Sequence, residues 1–194
     1  SDGGHSWSKV SCDNLPAAVE GEAAFAASDG NIAVAGSNAW VVSGGKKSRV
    51  FHSPDYGINW QVYDTPITQG GTMTGIFGCD FFDDKTGIVI GGDWEKMENN
   101  RNNKAITQDG GQTWNLIADG EVPGYQSCVQ FLSLKSSKPV MSVGIPGIAF
   151  SNNGGQKWVP LTTEDFYTFR RADKVIWLAG NNKIAKWPIS YNSN

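Results

Sequence analysis

Short apolar runs separated by glycine-rich turns recur along the chain, a pattern that predicts antiparallel strands in groups of four. The group within residues 20–66 covers 32–35, 39–43, 49–52 and 59–63, with 22–27 as an extra strand or loop. The group within 71–118 covers 75–82, 86–92, 104–107 and 113–117. The group within 124–162 covers 127–132, 140–144, 147–150 and 157–161. An incomplete group within 165–190 covers 166–169, 175–179 and 183–187. Repeated groups of four short strands predict the blades of a β-propeller.

A second pattern, of the form S-x-D-x-G-x-x-W, recurs at the turn between the third and fourth strands of a group. Its members are Asp2, Gly4 and Trp7; Ser53, Asp55, Gly57 and Trp60; Thr107, Asp109, Gly111 and Trp114; and Ser151, Asn153, Gly155 and Trp158. The Ser, Asp and Asn side chains can bond the backbone of a tight turn, and Gly accepts a positive φ. The Trp begins the next strand and covers the blade. We therefore assign these residues a structural role and not a catalytic one.

Composition supports an all-β protein, with 24 Gly and 8 Trp, and 18% charged residues against the roughly 25% that is usual. The net charge of −3 argues against nucleic acid or an anionic membrane surface as partner. No apolar run reaches the roughly 20 residues of a membrane span, so we expect no membrane insertion. Three cysteines (Cys12, Cys79 and Cys128) lack metal-ligand spacing, and His5 and His52 lie far apart in sequence. We expect no metal and no cofactor.

The four turn motifs and the strand groups resemble the Asp-box (BNR) repeat propellers, over essentially the whole chain. Within them, the sequence is similar to the group of the photosystem II stability/assembly factor. Further stretches resemble a bacterial branch of that group, whose members carry the labels oxidoreductase or glycosyl hydrolase: 22–28, 43–45, 49–50, 75–77, 91–93, 102–103 and 124–125. The resemblance implies a sialidase-like propeller of four-stranded antiparallel blades. It also implies a secreted or periplasmic location, although no signal segment is visible in this sequence.

About four blades are expected, and both ends of the chain fall inside a blade. Residues 1–10 contain part of a turn motif and a predicted strand at 6–10, the fourth strand of a preceding blade. The last group, in contrast, lacks a fourth strand. We expect the C-terminal part of a six- to eight-bladed propeller, which would need the missing half or self-association to cover its exposed faces. Alternatively, the N-terminal strand pairs with the last three strands and closes a ring of four.

Propeller topology places the Asp-box turns on one face and the longer loops on the other. Those longer loops are 44–47, 65–72, 92–103 and 119–124. Long loops on a rigid scaffold are usual binding sites, so we expect a protein or carbohydrate ligand on this second face. The candidate ligand-binding residues are Arg49, Asp93, Trp94 and Tyr125. The first hypothesis is a binding or assembly module without catalysis.

The alternative hypothesis is a glycoside hydrolase with part of its site on other blades. Such enzymes need two carboxyl groups about 5–9.5 Å apart, and Glu22 and Asp93 are the weak candidates, with Glu95, Glu164 and Asp165 behind them. A sialidase also needs an arginine cluster, but the adjacent Arg170 and Arg171 should point to opposite faces of their strand. The oxidoreductase label has no basis in the residues, because the sequence has neither a strand–GxGxxG–helix unit nor a Cys-x-x-Cys motif.

Overall fold

The computed structural model describes residues 2–9, 11–132 and 137–188, and it is all-β apart from two short 3₁₀ turns, Cys12–Asn14 and Ala26–Ser28. Blade 1 contains β2 (Ile32–Ala35), β3 (Asn38–Val42), β5 (Arg49–Ser53) and β6 (Gln61–Asp64). Blade 2 contains β7 (Thr74–Phe81), β8 (Gly87–Asp93), β9 (Lys104–Thr107) and β10 (Asn115–Leu116). Two short strands, β1 (Glu22–Ala23) and β4 (Gly44–Gly45), extend its inner edge. Blade 3 contains β11 (Cys128–Phe131), β12 (Val140–Gly144), β13 (Gly147–Ser151) and β14 (Val159–Thr162). Blade 4 contains β15 (Thr168–Ala172), β16 (Val175–Gly180) and β17 (Lys183–Pro188).

This arrangement confirms the propeller and its antiparallel blades, and the strands of the four blades lie within three residues of their predicted bounds. Residues 6–9 form no strand in the part of the chain that the structure describes, and the fourth strand of a preceding blade at 6–10 stays a prediction. An outer strand needs the third strand of its own blade as hydrogen-bonding partner, and no described strand lies beside residues 6–9. Blade 4 has three strands in the described part of the chain. The N-terminal segment does not pair with them, so the described structure does not show a ring of four blades closed in this way.

The core consists of three apolar layers, one between each pair of neighbouring blades. Between blades 1 and 2, the fully buried Trp40 stacks on Phe81 with ring centroids 3.6 Å apart. Trp40 Nε1 also donates to the carbonyl of Gly110 at 2.8 Å, so its polar edge is satisfied inside the core. A side chain at Gly111 would begin 3.2 Å from the same indole nitrogen. The turn motif of blade 2 therefore packs against its neighbour as well as against its own strands.

The three complete Asp boxes share one hydrogen-bond pattern. The Ser or Thr hydroxyl accepts from the amide of the glycine four residues later, at 2.8–2.9 Å. The Asp or Asn Oδ1 accepts from the amide four residues after it, at 2.8–3.0 Å. The Trp Nε1 donates to the carbonyl of the box glycine at 2.8–2.9 Å. In the N-terminal copy Trp7 makes the same bond to Gly4 but is 90% exposed. Side chains and backbone thus close the turn together, so the contacts of these residues stabilise the fold.

Hydrogen bonds join the longer loops into one continuous surface, which we call the loop face. Lys46 Nζ donates to the Gly70 carbonyl at 2.9 Å, and Thr68 N donates to the Asn102 carbonyl at 2.8 Å. Asn102 N in turn donates to Asp119 Oδ1 at 2.7 Å. These bonds connect all four long loops, as the predicted topology requires. None of the described helices is long and apolar enough to cross a bilayer.

Candidate functional site

A cavity of about 280 Å³ opens on the loop face where the innermost strands of the four blades begin. Its lining comes from the segments before β2, β7, β11 and β15, from β7 itself, and from the residues that directly follow β8 and β12. We call it the central cavity, and its lining residues are Phe25, Ala27, Ser28, Met73, Phe77, Trp94, Tyr125, Ser127, Ile145 and Tyr167. The inner strand of every blade starts on this face, so the fold itself brings these ten residues together.

Three aromatic rings form a packed wall of the central cavity. The Phe25 and Phe77 rings stack with centroids 4.3 Å apart and an interplanar angle of 15°. Tyr125 meets Phe77 edge to face at 4.8 Å and 80°. A side chain at Gly44 would begin 2.3 Å from the Phe25 ring, so the absence of a side chain there makes room for the stack. The rings are held in place before any ligand arrives.

Two of the five polar side-chain groups of the cavity lining are bonded to the protein. Ser28 Oγ donates to the Phe77 carbonyl, and Ser127 Oγ donates to the Tyr167 carbonyl at 2.6 Å. These two bonds connect blade 1 to blade 2 and blade 3 to blade 4. Among the described residues nothing bonds the Tyr125 hydroxyl, the Tyr167 hydroxyl or Trp94 Nε1. Burial raises the pKa of the Tyr125 phenol above its usual range, so it stays protonated at neutral pH.

Backbone bonds fix the positions of Trp94 and Tyr125 in their loops. Trp94 N donates to the Met73 carbonyl at 3.0 Å, and Tyr125 N donates to the Met97 carbonyl at 2.8 Å. Asp93, the residue beside Trp94, accepts from the amide of Glu95 at 2.9 Å through Oδ1. The Asp93 carboxylate therefore shapes the start of the loop and is not part of the cavity lining.

Arg49 and Glu22 do not line the central cavity; they form an ion pair between β5 of blade 1 and β1, which extends the sheet of blade 2. The Glu22 side chain is 1% exposed, and its Oε1 accepts from Arg49 Nε at 2.9 Å and from Ser43 Oγ at 2.6 Å. Its Oε2 accepts from Val19 N at 2.9 Å. These bonds outweigh the effect of burial and lower the pKa of the Glu22 carboxyl. Because Arg49 also donates to the Ala17 carbonyl at 3.0 Å, the pair fastens residues 17–22 to the blade.

The structure thus brings two of the four predicted ligand-binding residues, Trp94 and Tyr125, into one cavity. The remaining lining was missed, above all Phe25, Phe77 and Tyr167. The sequence signal that was available is an aromatic residue shortly before an innermost strand or within its first four residues. The weak catalytic candidate Glu22 is bonded to Arg49 and not placed opposite a second carboxylate.

The arginines and histidine of the sequence analysis have other partners. Arg170 donates to Asp29 Oδ2 at 3.1 Å and contacts Cys128 Sγ at 3.6 Å, while Arg171 donates to the Leu132 carbonyl, so the two arginines have different partners. His52 stacks on Trp40, and burial lowers the pKa of its imidazole. Within residues 2–9, 11–132 and 137–188, no cluster of three His, Cys, Asp or Glu side chains could hold a metal ion.

The chain is similar to known Asp-box propellers. Residues 105–116 match the BNR/Asp-box repeat family. No curated protein matches the sequence. Among solved structures, YCF48 bound to a D1 peptide is 16% identical with a TM-score of 0.59, over 81% of this chain and 49% of that one. The GH74 enzyme of Niastella koreensis is 14% identical with a TM-score of 0.58, over 76% of this chain and 25% of that one. A chain of a nidogen/laminin complex is 16% identical with a TM-score of 0.60, over 81% of this chain and 58% of that one. At such identities the likeness shows the fold alone, and the chain spans a quarter to 58% of the lengths it matches.

Proposed function

We propose that this chain is a non-catalytic binding module of the propeller type, which takes a protein or carbohydrate ligand at the central cavity of the loop face. The observation that carries the proposal is the preformed aromatic wall of Phe25, Phe77 and Tyr125 beside the half-exposed Trp94. Aromatic side chains around a desolvated pocket are the usual source of binding energy at interfaces. Concave sites with few polar groups are the usual sites for ligands.

Two similar structures support a binding role, since one is YCF48 with a D1 peptide and the other a nidogen/laminin complex. Binding needs shape and aromatic anchors, which the cavity has. Hydrolysis of a glycoside needs two carboxyl groups in one cleft, and the cavity lining contains no carboxylate. The module is therefore the function that the site supports best.

The test is a search for ligands with two matched variants. The protein is screened against a glycan array and a displayed library of random peptides, and binders are measured again on Trp94→Ala and Tyr56→Ala. Tyr56 is an exposed aromatic residue on the Asp-box face and serves as the control. We expect Trp94→Ala to weaken binding about 30-fold, as for an interface residue worth about 2 kcal/mol. Tyr56→Ala should bind as the wild type does, and both variants should keep the wild-type melting temperature.

The proposal is contradicted if a ligand is found whose affinity is the same for the wild type and for variants with Trp94 or Tyr125 replaced by Ala. A second contradictory result comes from an assay with aryl glycosides. Turnover that is lost in Asp93→Asn or Glu22→Gln would replace the binding module with a glycoside hydrolase.

A further inference from the structure

The chemistry of the central cavity narrows the class of ligand, given the proposed function on which this inference rests. Eight of its ten lining side chains are apolar or aromatic, and none of the ten carries a charge. A charged group brought into such a cavity would lose its water without gaining a partner, which costs free energy. The interior therefore disfavours carboxylate, phosphate and ammonium groups.

The supply of hydrogen bonds disfavours a sugar as well. The Ser28 and Ser127 hydroxyl protons already go to backbone carbonyls. Tyr125 Oη, Tyr167 Oη and Trp94 Nε1 are the polar atoms of the lining side chains that no described residue bonds. A pyranose ring carries several hydroxyl groups, and each one buried without a partner costs roughly 1–3 kcal/mol. Three unbonded side-chain groups are too few to pair with all the hydroxyl groups of such a ring.

The size and the rigidity of the cavity fit one large side chain. Its volume of about 280 Å³ lies just under the range of roughly 300–1,000 Å³ that is usual for pockets of drug-sized ligands. The aromatic wall is stacked and fixed, so little order has to be imposed on binding. Trp94 and Tyr167, each 42% exposed, stand at the rim where flanking residues of a ligand would pass.

We propose that the central cavity holds one uncharged aromatic or large aliphatic side chain from an exposed segment of a partner protein. The unbonded groups, which are Trp94 Nε1 and the hydroxyls of Tyr125 and Tyr167, donate to main-chain carbonyls next to that anchor. The partner is therefore recognised by an apolar anchor within an accessible stretch of chain, and neither by its charge nor by a glycan.

Small probes test this directly by two-dimensional NMR of the ¹⁵N-labelled protein. The probes are N-acetyl-L-tryptophanamide and N-acetyl-L-leucinamide, compared with N-acetyl-L-glutamic acid amide and methyl β-D-glucopyranoside. We expect the first two to shift the amides of cavity residues at millimolar concentration and the last two to leave them unchanged. Ala27→Glu, which places a carboxylate at an exposed position of the lining, should weaken the tryptophanamide at least 10-fold. Tyr125→Phe should weaken it by a smaller factor of about 2–5, as expected for one lost hydrogen bond.

The control variant is Tyr56→Ala, which should give wild-type shifts with every probe. Saturable shifts at the cavity with the glucoside and none with the apolar amides would overturn this inference and leave the proposed function standing. If no probe shifts the cavity amides, or if the shifts map to another surface, both the inference and the proposed function are wrong.

Discussion

The charged form of Asp80 destabilises the folded protein, so replacing Asp80 with a neutral residue should stabilise it. It lies on β7, and its Oδ2 accepts from the Phe131 amide at 2.7 Å, across the boundary between blades 2 and 3. Burial raises the pKa of Asp80 from 3.8 to about 6, against the smaller opposite effects of its hydrogen bonds and of Arg170. The folded protein therefore binds this proton more tightly than the unfolded chain does.

The sign of the pH dependence follows from that difference. The stability contributed by protonated Asp80 is fully present below the unfolded pKa near 3.8, and it is lost as pH rises through the folded pKa of about 6. The two pKa values differ by about two units, and each unit corresponds to 1.36 kcal/mol, so the full loss above pH 7 is about 3 kcal/mol. Asp80→Asn keeps an oxygen for the Phe131 amide and removes the charge. We expect it to raise the free energy of unfolding by about 1–3 kcal/mol at pH 8 and to change it little at pH 4.

Urea denaturation followed by tryptophan fluorescence measures this between pH 4 and pH 8. With a slope of about 1–3 kcal/mol per molar urea, the midpoint of Asp80→Asn should rise by about 1 M at pH 8. Asp83→Asn is the control of opposite sign, because the amides of Thr86 and Lys85 outweigh burial and lower the pKa of Asp83. That variant should lose stability at neutral pH, and the loss should disappear as pH falls through the lowered pKa. A stability change in Asp80→Asn that is the same at pH 4 and pH 8 would refute the reasoning.

Three further predictions concern packing, turns and assembly. Trp40→Ala should cost about 3–5 kcal/mol in urea denaturation, because it empties the layer between blades 1 and 2; a cost under 1 kcal/mol would contradict that packing. Thr107→Val should cost about 1–3 kcal/mol by leaving the buried Gly111 amide without its acceptor, whereas Thr107→Ser should be nearly neutral. Equal effects of the two would exclude the hydroxyl as the cause. Native mass spectrometry should give multiples of 20.9 kDa, because Val34 and Ile184 are 69% and 77% exposed on the outer faces of blades 1 and 4. A stable monomer would show that these faces need no cover.

The sequence was most informative where structure is local. Asp109 and Gly111 close a turn through bonds to residues within four positions, so spacing alone could identify the box. The central cavity could not be predicted in the same way, because Phe25 and Phe77 meet only through blade packing. For the same reason the sequence analysis named Arg49 as a ligand-binding residue and Glu22 as a catalytic candidate, and did not pair them. The two residues are 27 positions apart in sequence and meet only in the folded chain.

The backbone bonds that hold Trp94 and Tyr125 in place make the cavity open to redesign. Both residues are positioned by main-chain amides that donate to the carbonyls of Met73 and Met97, and such bonds form whatever side chain is present. If the cavity binds the proposed ligand, exchanging the rim side chains should change which ligand it accepts while the loops keep their positions. A library randomised at Ala27, Met73, Trp94 and Tyr167, with the stacked rings left intact, is a direct way to select new specificities on this scaffold.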